Sequence, residues 1–203
     1  LQDKLKHLPI EKIQRKVLCF VKAKDSTFFY EDKEGNFWNV SIFIEDSITY
    51  LKTENAQIAF EAGKITGNFL ELTKDIDISK ITTILKDFHS VTARYQQFKR
   101  ALDDTSILEN KLSKECVDFI ESHIEEMLAI DIAIDQNKLP LRLTHNDTKI
   151  SNILFSKENK ALCLIDTDTV MQGVLHFDFG DAIRALCNTA DEDEVDTNKI
   201  EFF

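Results

Sequence analysis

Apolar residues change their period along this chain. Val17 to Val21, Thr27 to Tyr30 and Phe37 to Ile44 are short runs rich in aromatic and β-branched side chains. With Glu34-Gly35-Asn36 as turn chemistry between the last two, they predict a small antiparallel sheet. Ahead of it, Leu1 to Leu8 reads as the end of a helix that Pro9 interrupts. From Asn55 to Leu72 the period becomes helical, with Ile58, Ala59, Ala62, Ile65, Phe69 and Leu72 on one stripe. Ser79 to Ser90 and Leu112 to Ile134 read as second and third helices, and Pro140 closes the last. Short apolar runs then return at Leu141 to Thr144, Ile153 to Phe155 and Ala161 to Ile165, too short for helices and bounded by Asp and Asn. Phe177 to Leu186 begins another helix. The expected class is α+β. A partial small β-lobe over residues 1–46, with a hinge near 43–50, precedes a mainly helical lobe over 47–203.

Composition narrows the choices. The 203 residues are 43% hydrophobic with two prolines and five glycines, enough for a sizeable core and too few breakers for a linker-rich chain. A formal charge of −11 argues against a nucleic-acid or anionic-membrane surface, because phosphate backbones are bound by a basic excess. No apolar run reaches the length that spans a bilayer, and Leu1-Gln-Asp-Lys-Leu-Lys-His lacks a signal-peptide core, so a cytoplasmic protein is expected. Cys19, Cys116, Cys163 and Cys187 show no C-x-x-C spacing and read as free thiols, mostly buried. The histidines show no H-x-x-x-H pairing for zinc. The aromatic run Phe28, Phe29, Tyr30, Phe37 and Trp38 reads as buried and edge surface of the sheet, not as a base-stacking platform.

The chemistry concentrates in Leu143-Thr-His-Asn-Asp-Thr-Lys-Ile-Ser-Asn-Ile-Leu-Phe155 and Ala161-Leu-Cys-Leu-Ile-Asp-Thr-Asp168. His145, Asp147 and Asn152 form H-x-D-x-x-x-x-N between apolar runs, and Asp166 ends the second run. Phosphoryl transfer needs one carboxylate to orient the attacking hydroxyl, and an amide plus a second carboxylate to hold Mg²⁺ against nucleotide phosphates. Asp147 is the candidate for the first role, its bland alternative being a turn aspartate. Asn152 and Asp166 offer the hard oxygens that suit Mg²⁺, against loop-closing and strand-capping alternatives. Asp168 divides evenly between a further metal carboxylate and a group that holds the loop.

Together with Phe177-Asp-Phe-Gly-Asp-Ala-Ile-Arg184, these segments resemble the aminoglycoside-phosphotransferase-like family, most of all its N-acetylhexosamine 1-kinase branch. The resemblance extends more weakly through Phe37-Trp-Asn-Val-Ser-Ile-Phe-Ile-Glu45 and Thr49-Tyr50. It implies a protein-kinase-like fold, entered from the middle of its small lobe, and an ATP- and Mg²⁺-dependent kinase. It implies transfer to a small-molecule hydroxyl, the anomeric hydroxyl of an N-acetylhexosamine. The alternatives are choline, homoserine or an aminoglycoside as acceptor, or a non-catalytic nucleotide-binding domain derived from a kinase.

The same resemblance implies a catalytic set of Asp147, Lys149 and His145. His145 would brace the loop, and Lys149 would face the transferred phosphate unless it is a solvated loop lysine. Phe43, Ile44 and Glu45 would meet the adenine. Asp178, Asp181 and Arg184 are expected to form a supporting network, the two carboxylates capping a helix start while Arg184 ties the loop down, with a substrate-contacting role for Asp181 as the minority reading. The departures are as clear as the matches. The residues contain no Gly-rich loop and no strand lysine with a partner glutamate before the hinge, and the chain reads as a fragment of a longer kinase.

Overall fold

A helix start leaves four backbone N–H groups without partners, and Asn55 satisfies one by accepting from Ile58 N at 3.1 Å. That cap opens the first long helix, α2. The computed structural model describes residues 1–103, 111–191 and 194–201, with the side chains of 111, 112 and 197 set aside. In chain order the elements are α1 (Ile10–Ile13), β1 (Tyr30–Glu31), β2 (Phe37–Trp38), β3 (Ser47–Ile48) and α2 (Ala56–Thr73). They continue with α3 (Val91–Leu102), α4 (Lys111–Met127), α5 (Ala129–Asp135), β4 (Arg142–Thr144), β5 (Ile153–Ser156), β6 (Ala161–Leu164), β7 (Met171–Gly173) and α6 (Leu175–Leu186).

The main core forms where the stripe of α2 meets the β5–β6 hairpin and α6. Ile58, Ala62, Ile65 and Phe69 pack there with Ile153, Phe155, Leu164 and Leu186. Burial of each large side chain contributes roughly 1.5–3 kcal/mol. Antiparallel pairing runs β3-β5-β6, with Ile48 opposite Phe155 and Ile153 opposite Leu164. A second ladder joins β4 to β7, with Thr144 opposite Met171. The segment from His145 to Asn152 therefore leaves one ladder at Thr144 and enters the other at Ile153, so both of its ends are fixed. Buried Glu61 adds a polar tie from α2, accepting from Lys160 Nζ at 3.1 Å and Ala161 N at 3.3 Å. Its charged neighbours and these bonds hold its carboxyl below the ordinary value despite the opposing cost of burial.

Several expected elements are shorter or displaced. Ser79 to Ser90 is not a helix: one 3-10 turn over Ile78–Lys80 passes into extended backbone at Ile81, and Asp87 sits at φ 57°. The helix begins instead at Val91, because Ser90 Oγ accepts from Ala93 N at 3.1 Å and Asp131 Oδ2 from Thr92 N at 2.8 Å. The third helix divides at Leu128 into α4 and α5, although Leu128 N still donates to Ile124 O and Ile132 N to Leu128 O, both at 3.0 Å. It ends at Asp135, ahead of Pro140, and the Leu112 side chain lies outside the described residues.

Pro9 is the N-cap of α1, after a 3-10 turn over Gln2–Leu5. The N-terminal strands shrink to β1, β2 and a single bridge between Phe20 and Ser41. Phe28, Phe29, Tyr30, Phe37 and Trp38 are all exposed, not buried against a sheet face. A small separate cluster of Leu5, Ile13, Val17 and Cys19 packs on Leu72 near the end of α2. Among the described residues no helix is long and apolar enough to cross a membrane.

Candidate active site

Between β4 and β5 the chain must turn sharply, and Asn146 takes the left-handed conformation at φ 67°, which asparagine tolerates better than most residues. Its side chain is fully used: Oδ1 accepts from Thr144 Oγ1 at 3.0 Å, and Nδ2 donates to Thr169 O at 2.9 Å. The loop backbone hangs from α6. Buried Asp178 accepts from His145 N at 2.8 Å and Asn146 N at 2.7 Å, while Asp181 Oδ2 accepts from Thr148 N at 2.6 Å and Thr148 Oγ1 at 3.0 Å. Asp178 and Asp181 were expected to cap a helix. The helix starts earlier, at Leu175, so the two carboxylates lie one turn apart inside it and reach the loop instead. Arg184 bonds Asp181 Oδ1 at 2.8 Å, on the carboxylate that also holds Thr148.

Burial raises the Asp178 carboxyl above the ordinary value, against the two backbone N–H groups and His145, which favour its charged form. His145 is completely buried. It lies edge-on to Phe69 at 5.4 Å, and its Nε2 is 3.1 Å from Ile165 O. Burial also lowers its pKa, with the charge of Asp178 opposing, and its Nδ1 has no hydrogen-bond partner among the described residues. Its carbonyl accepts from Thr169 Oγ1 at 2.7 Å.

The structure brings Asp147, Lys149 and Asn152 together. Asp147 Oδ2 accepts from Asn152 Nδ2 at 2.8 Å and pairs with Lys149 Nζ at 3.1 Å. Asn152 Nδ2 also donates to Asp147 O at 3.0 Å. With its amide nitrogen committed twice, Asn152 turns its Oδ1 away from Asp147. Ile165 N donates to Asn152 O at 2.8 Å, so the residue before Asp166 is tied to both Asn152 and His145. Asp166 turns the chain at φ 60°. Its exposed carboxylate, like that of Asp168, joins none of the hydrogen bonds or ion pairs among the described residues. An amide oxygen and open carboxylates are the donor set that Mg²⁺ accepts when it keeps waters and phosphate oxygens as its other ligands.

Phe43, Ile44 and Glu45, expected at a hinge, have none of the Asp147 cluster among their described hydrogen-bond partners. Phe43 is exposed and Ile44 buried; Ile44 O accepts from Ser47 Oγ at 2.7 Å, and Glu45 O accepts from Arg15 Nη1 at 2.7 Å. Two cavities flank the region. One of about 620 Å³ lies between the N-terminal segment and α2, reaching Leu164 and Thr167 beside Asp166. The other, of about 330 Å³, touches the loop at Asn146 and is walled by His89 and Phe177.

Sequence reasoning passed over Thr144, Asn146, Thr148, Thr169 and Gly173. A Cβ on Gly173 would meet Thr144 Oγ1 at 2.4 Å, so the two strands approach there as closely as only glycine allows. A glycine inside a strand was the available signal for this. The threonines gave none, since Thr148 and Thr169 find their partners more than twenty residues away, as Thr144 does in Met171 O.

The family model described as the phosphotransferase enzyme family matches residues 48–202. Solved structures similar to this chain include the gentamicin complex of APH(2″)-IIa, at 20% identity and a TM-score of 0.45, over 88% of this chain and 55% of that one. A streptomycin–ATP ternary complex of APH(2″)-IIa matches at 22% identity and 0.46, over 88% and 55%. ADP-bound aminoglycoside phosphotransferase APH(2″)-Ib matches at 22% and 0.40, over 87% and 56%. The chain thus spans about half the length of these structures. On the family match, this chain belongs to the phosphotransferase enzyme family and has its protein-kinase-like α+β fold.

Proposed function

We propose that this protein transfers the γ-phosphoryl group of ATP to a hydroxyl of a small molecule, and that the acceptor is the anomeric hydroxyl of an N-acetylhexosamine. The reaction rests above all on one observation: a carboxylate and an amide, Asp147 and Asn152, are bonded to each other on a loop braced by α6, and the open carboxylate of Asp166 follows Ile165, whose N–H donates to Asn152 O. In this reading the acceptor oxygen attacks the γ-phosphorus while the bond to the β-bridging oxygen breaks. The hydroxyl proton passes to Asp147, and ADP leaves. Asp147 Oδ2 is held by Asn152 and Lys149, so Oδ1 is the oxygen offered to the hydroxyl. Positioning matters more than basicity here, because the hydroxyl loses its proton late in a loose transition state.

Asn152 and Asp166 would hold Mg²⁺, with Asp168 beside them; the ion would neutralise charge on the phosphate oxygens. Lys149 would leave Asp147 for the transferring phosphoryl group. The hinge at Phe43, Ile44 and Glu45 would meet the adenine, with residues 1–46 forming the lobe above it and 47–203 the lobe that carries the loop. The hexosamine rests on the sequence resemblance of the Asp166-Thr-Asp-Thr-Val-Met171 segment. A protein of this kind would work in the cytoplasm, where ATP is supplied. The test is ATP consumption by the intact protein with N-acetylglucosamine or N-acetylgalactosamine. Asp147→Asn should lower kcat by roughly two to four decades. A rate within a few fold of wild type would refute the reading.

A further inference from the structure

We propose that Asn146 and Thr169 are positioning residues: together they clamp the turn over residues 166–168 onto the β4–β5 loop, and so hold the Asp166 carboxylate where it can meet a nucleotide-bound divalent cation. The cation comes from the phosphotransfer reading, on which this rests; the clamp itself is geometry.

The turn is strained. Asp166 stands at φ 60° and ψ 69°, in the left-handed region that residues with a side chain rarely adopt, and Asn146 stands at φ 67°. Such backbone persists only where its surroundings over-determine it. Residues 166–168 hang between two attachments to the loop. Before them, Ile165 N donates to Asn152 O at 2.8 Å, and Ile165 O lies 3.1 Å from His145 Nε2. After them, Thr169 Oγ1 donates to His145 O at 2.7 Å, and Thr169 O accepts from Asn146 Nδ2 at 2.9 Å. Thr169 therefore gives one bond and takes another from consecutive loop residues, the second of which precedes Asp147. A turn this short between two fixed ends keeps Asp166 in place relative to Asp147 and Asn152.

The direction of the Asn146 amide is settled by its partners. Oδ1 accepts from Thr144 Oγ1 at 3.0 Å, while Nδ2 faces two carbonyls, Thr169 O at 2.9 Å and Thr144 O at 3.3 Å. A flipped amide would set its oxygen against both carbonyls. Gly173 leaves room for this arrangement, since a Cβ there would lie 3.3 Å from Asn146 Oδ1. Asn146 is only 3% exposed, so solvent does little to replace a bond it loses. Neither clamp bond belongs to a ladder: Asn146 follows β4, Thr169 precedes β7, and the two strands pair through their own backbones. Losing the clamp therefore frees the turn without unpairing the strands.

Titration calorimetry with ADP on the intact protein, across a series of Mg²⁺ concentrations including none, tests this. Thr169→Val keeps the branched shape and removes the hydroxyl; Asn146→Gly keeps the left-handed freedom and removes the amide. Each should raise the Mg²⁺ concentration that half-saturates ADP binding about tenfold, the scale of losing a group that orients a metal ligand, with metal-free ADP affinity within about twofold of wild type. Thr169→Ser, which keeps the hydroxyl donor, should stay within about threefold of wild type in its Mg²⁺ requirement.

The clamp is overturned if both variants keep the wild-type Mg²⁺ requirement, if metal-free ADP binding weakens as much as binding with Mg²⁺, or if Thr169→Ser behaves as Thr169→Val does. Those outcomes beside a Mg²⁺-dependent wild type leave the phosphotransfer reading standing. Wild type that binds ADP equally well with and without Mg²⁺ overturns that reading and the clamp with it.

Discussion

The β4–β5 loop and the β1–β2 hairpin distribute polarity in opposite ways. In the loop, polar Thr144, His145, Asn146 and Thr148 are no more than 3% exposed; in the hairpin, Phe37 is 67% exposed and Trp38 60%. The loop can bury its polar groups because nearly every one has a fixed partner. The hairpin has two residue pairs of ladder and a surface turn in which Asp32 accepts from Trp38 Nε1 at 2.8 Å and Asn36 N at 2.8 Å. Those bonds hold the Asp32 carboxyl down at about 2, but an exposed network of this kind stabilises little. A two-stranded hairpin without a packed face is marginal in water. Rigidity in this molecule therefore lies with buried hydrogen bonds at the site, and the apolar aromatics of the hairpin contribute little to it.

Three substitutions test that contrast. The largest effect is expected at Asp178, whose removal orphans two buried backbone N–H groups. Asp178→Ala should cost about 2–5 kcal/mol, read as a shift of the urea midpoint at constant slope. Less is expected from Gly173→Ala, where a methyl group would force Thr144 or β7 to move, at about 1–3 kcal/mol. Circular dichroism melts of the same protein would show it as a lowered Tm. The smallest effect is expected at the hairpin: Trp38→Ser should change stability by less than about 1 kcal/mol. A loss at Trp38 as large as that at Asp178 would mean that the hairpin belongs to the cooperative core and would break the comparison.

Much of the site was legible because its chemistry is written locally. The order His145, Asp147, Asn152, Asp166 lies within one short stretch, and the α2 stripe can be read from spacing alone. What sequence missed depends on distant partners. Ser79 to Ser90 carries enough apolar residues for a helix, yet Ser90 and Asp131 cap the next segment, and Asp131 lies forty-one residues from Ser90. β3 becomes a strand only because β5, far along the chain, offers it an edge. The spacing of Asp178 and Asp181 was visible, but not that their acceptors would serve loop N–H groups. The hairpin aromatics looked like sheet core because composition records side-chain type and not what stands opposite.

The central claim is that Asp147 acts on the acceptor proton and Asp166 on the metal-bound nucleotide. Titration calorimetry with MgATP on Asp147→Asn and Asp166→Asn of the intact protein tests it most directly. Asp147→Asn should bind MgATP within about threefold of wild type, because its charge is spent on the hydroxyl. Asp166→Asn should bind it at least about tenfold more weakly, because a metal ligand has lost its charge. The opposite pattern, with MgATP binding lost in Asp147→Asn and kept in Asp166→Asn, would contradict the assignment of both carboxylates.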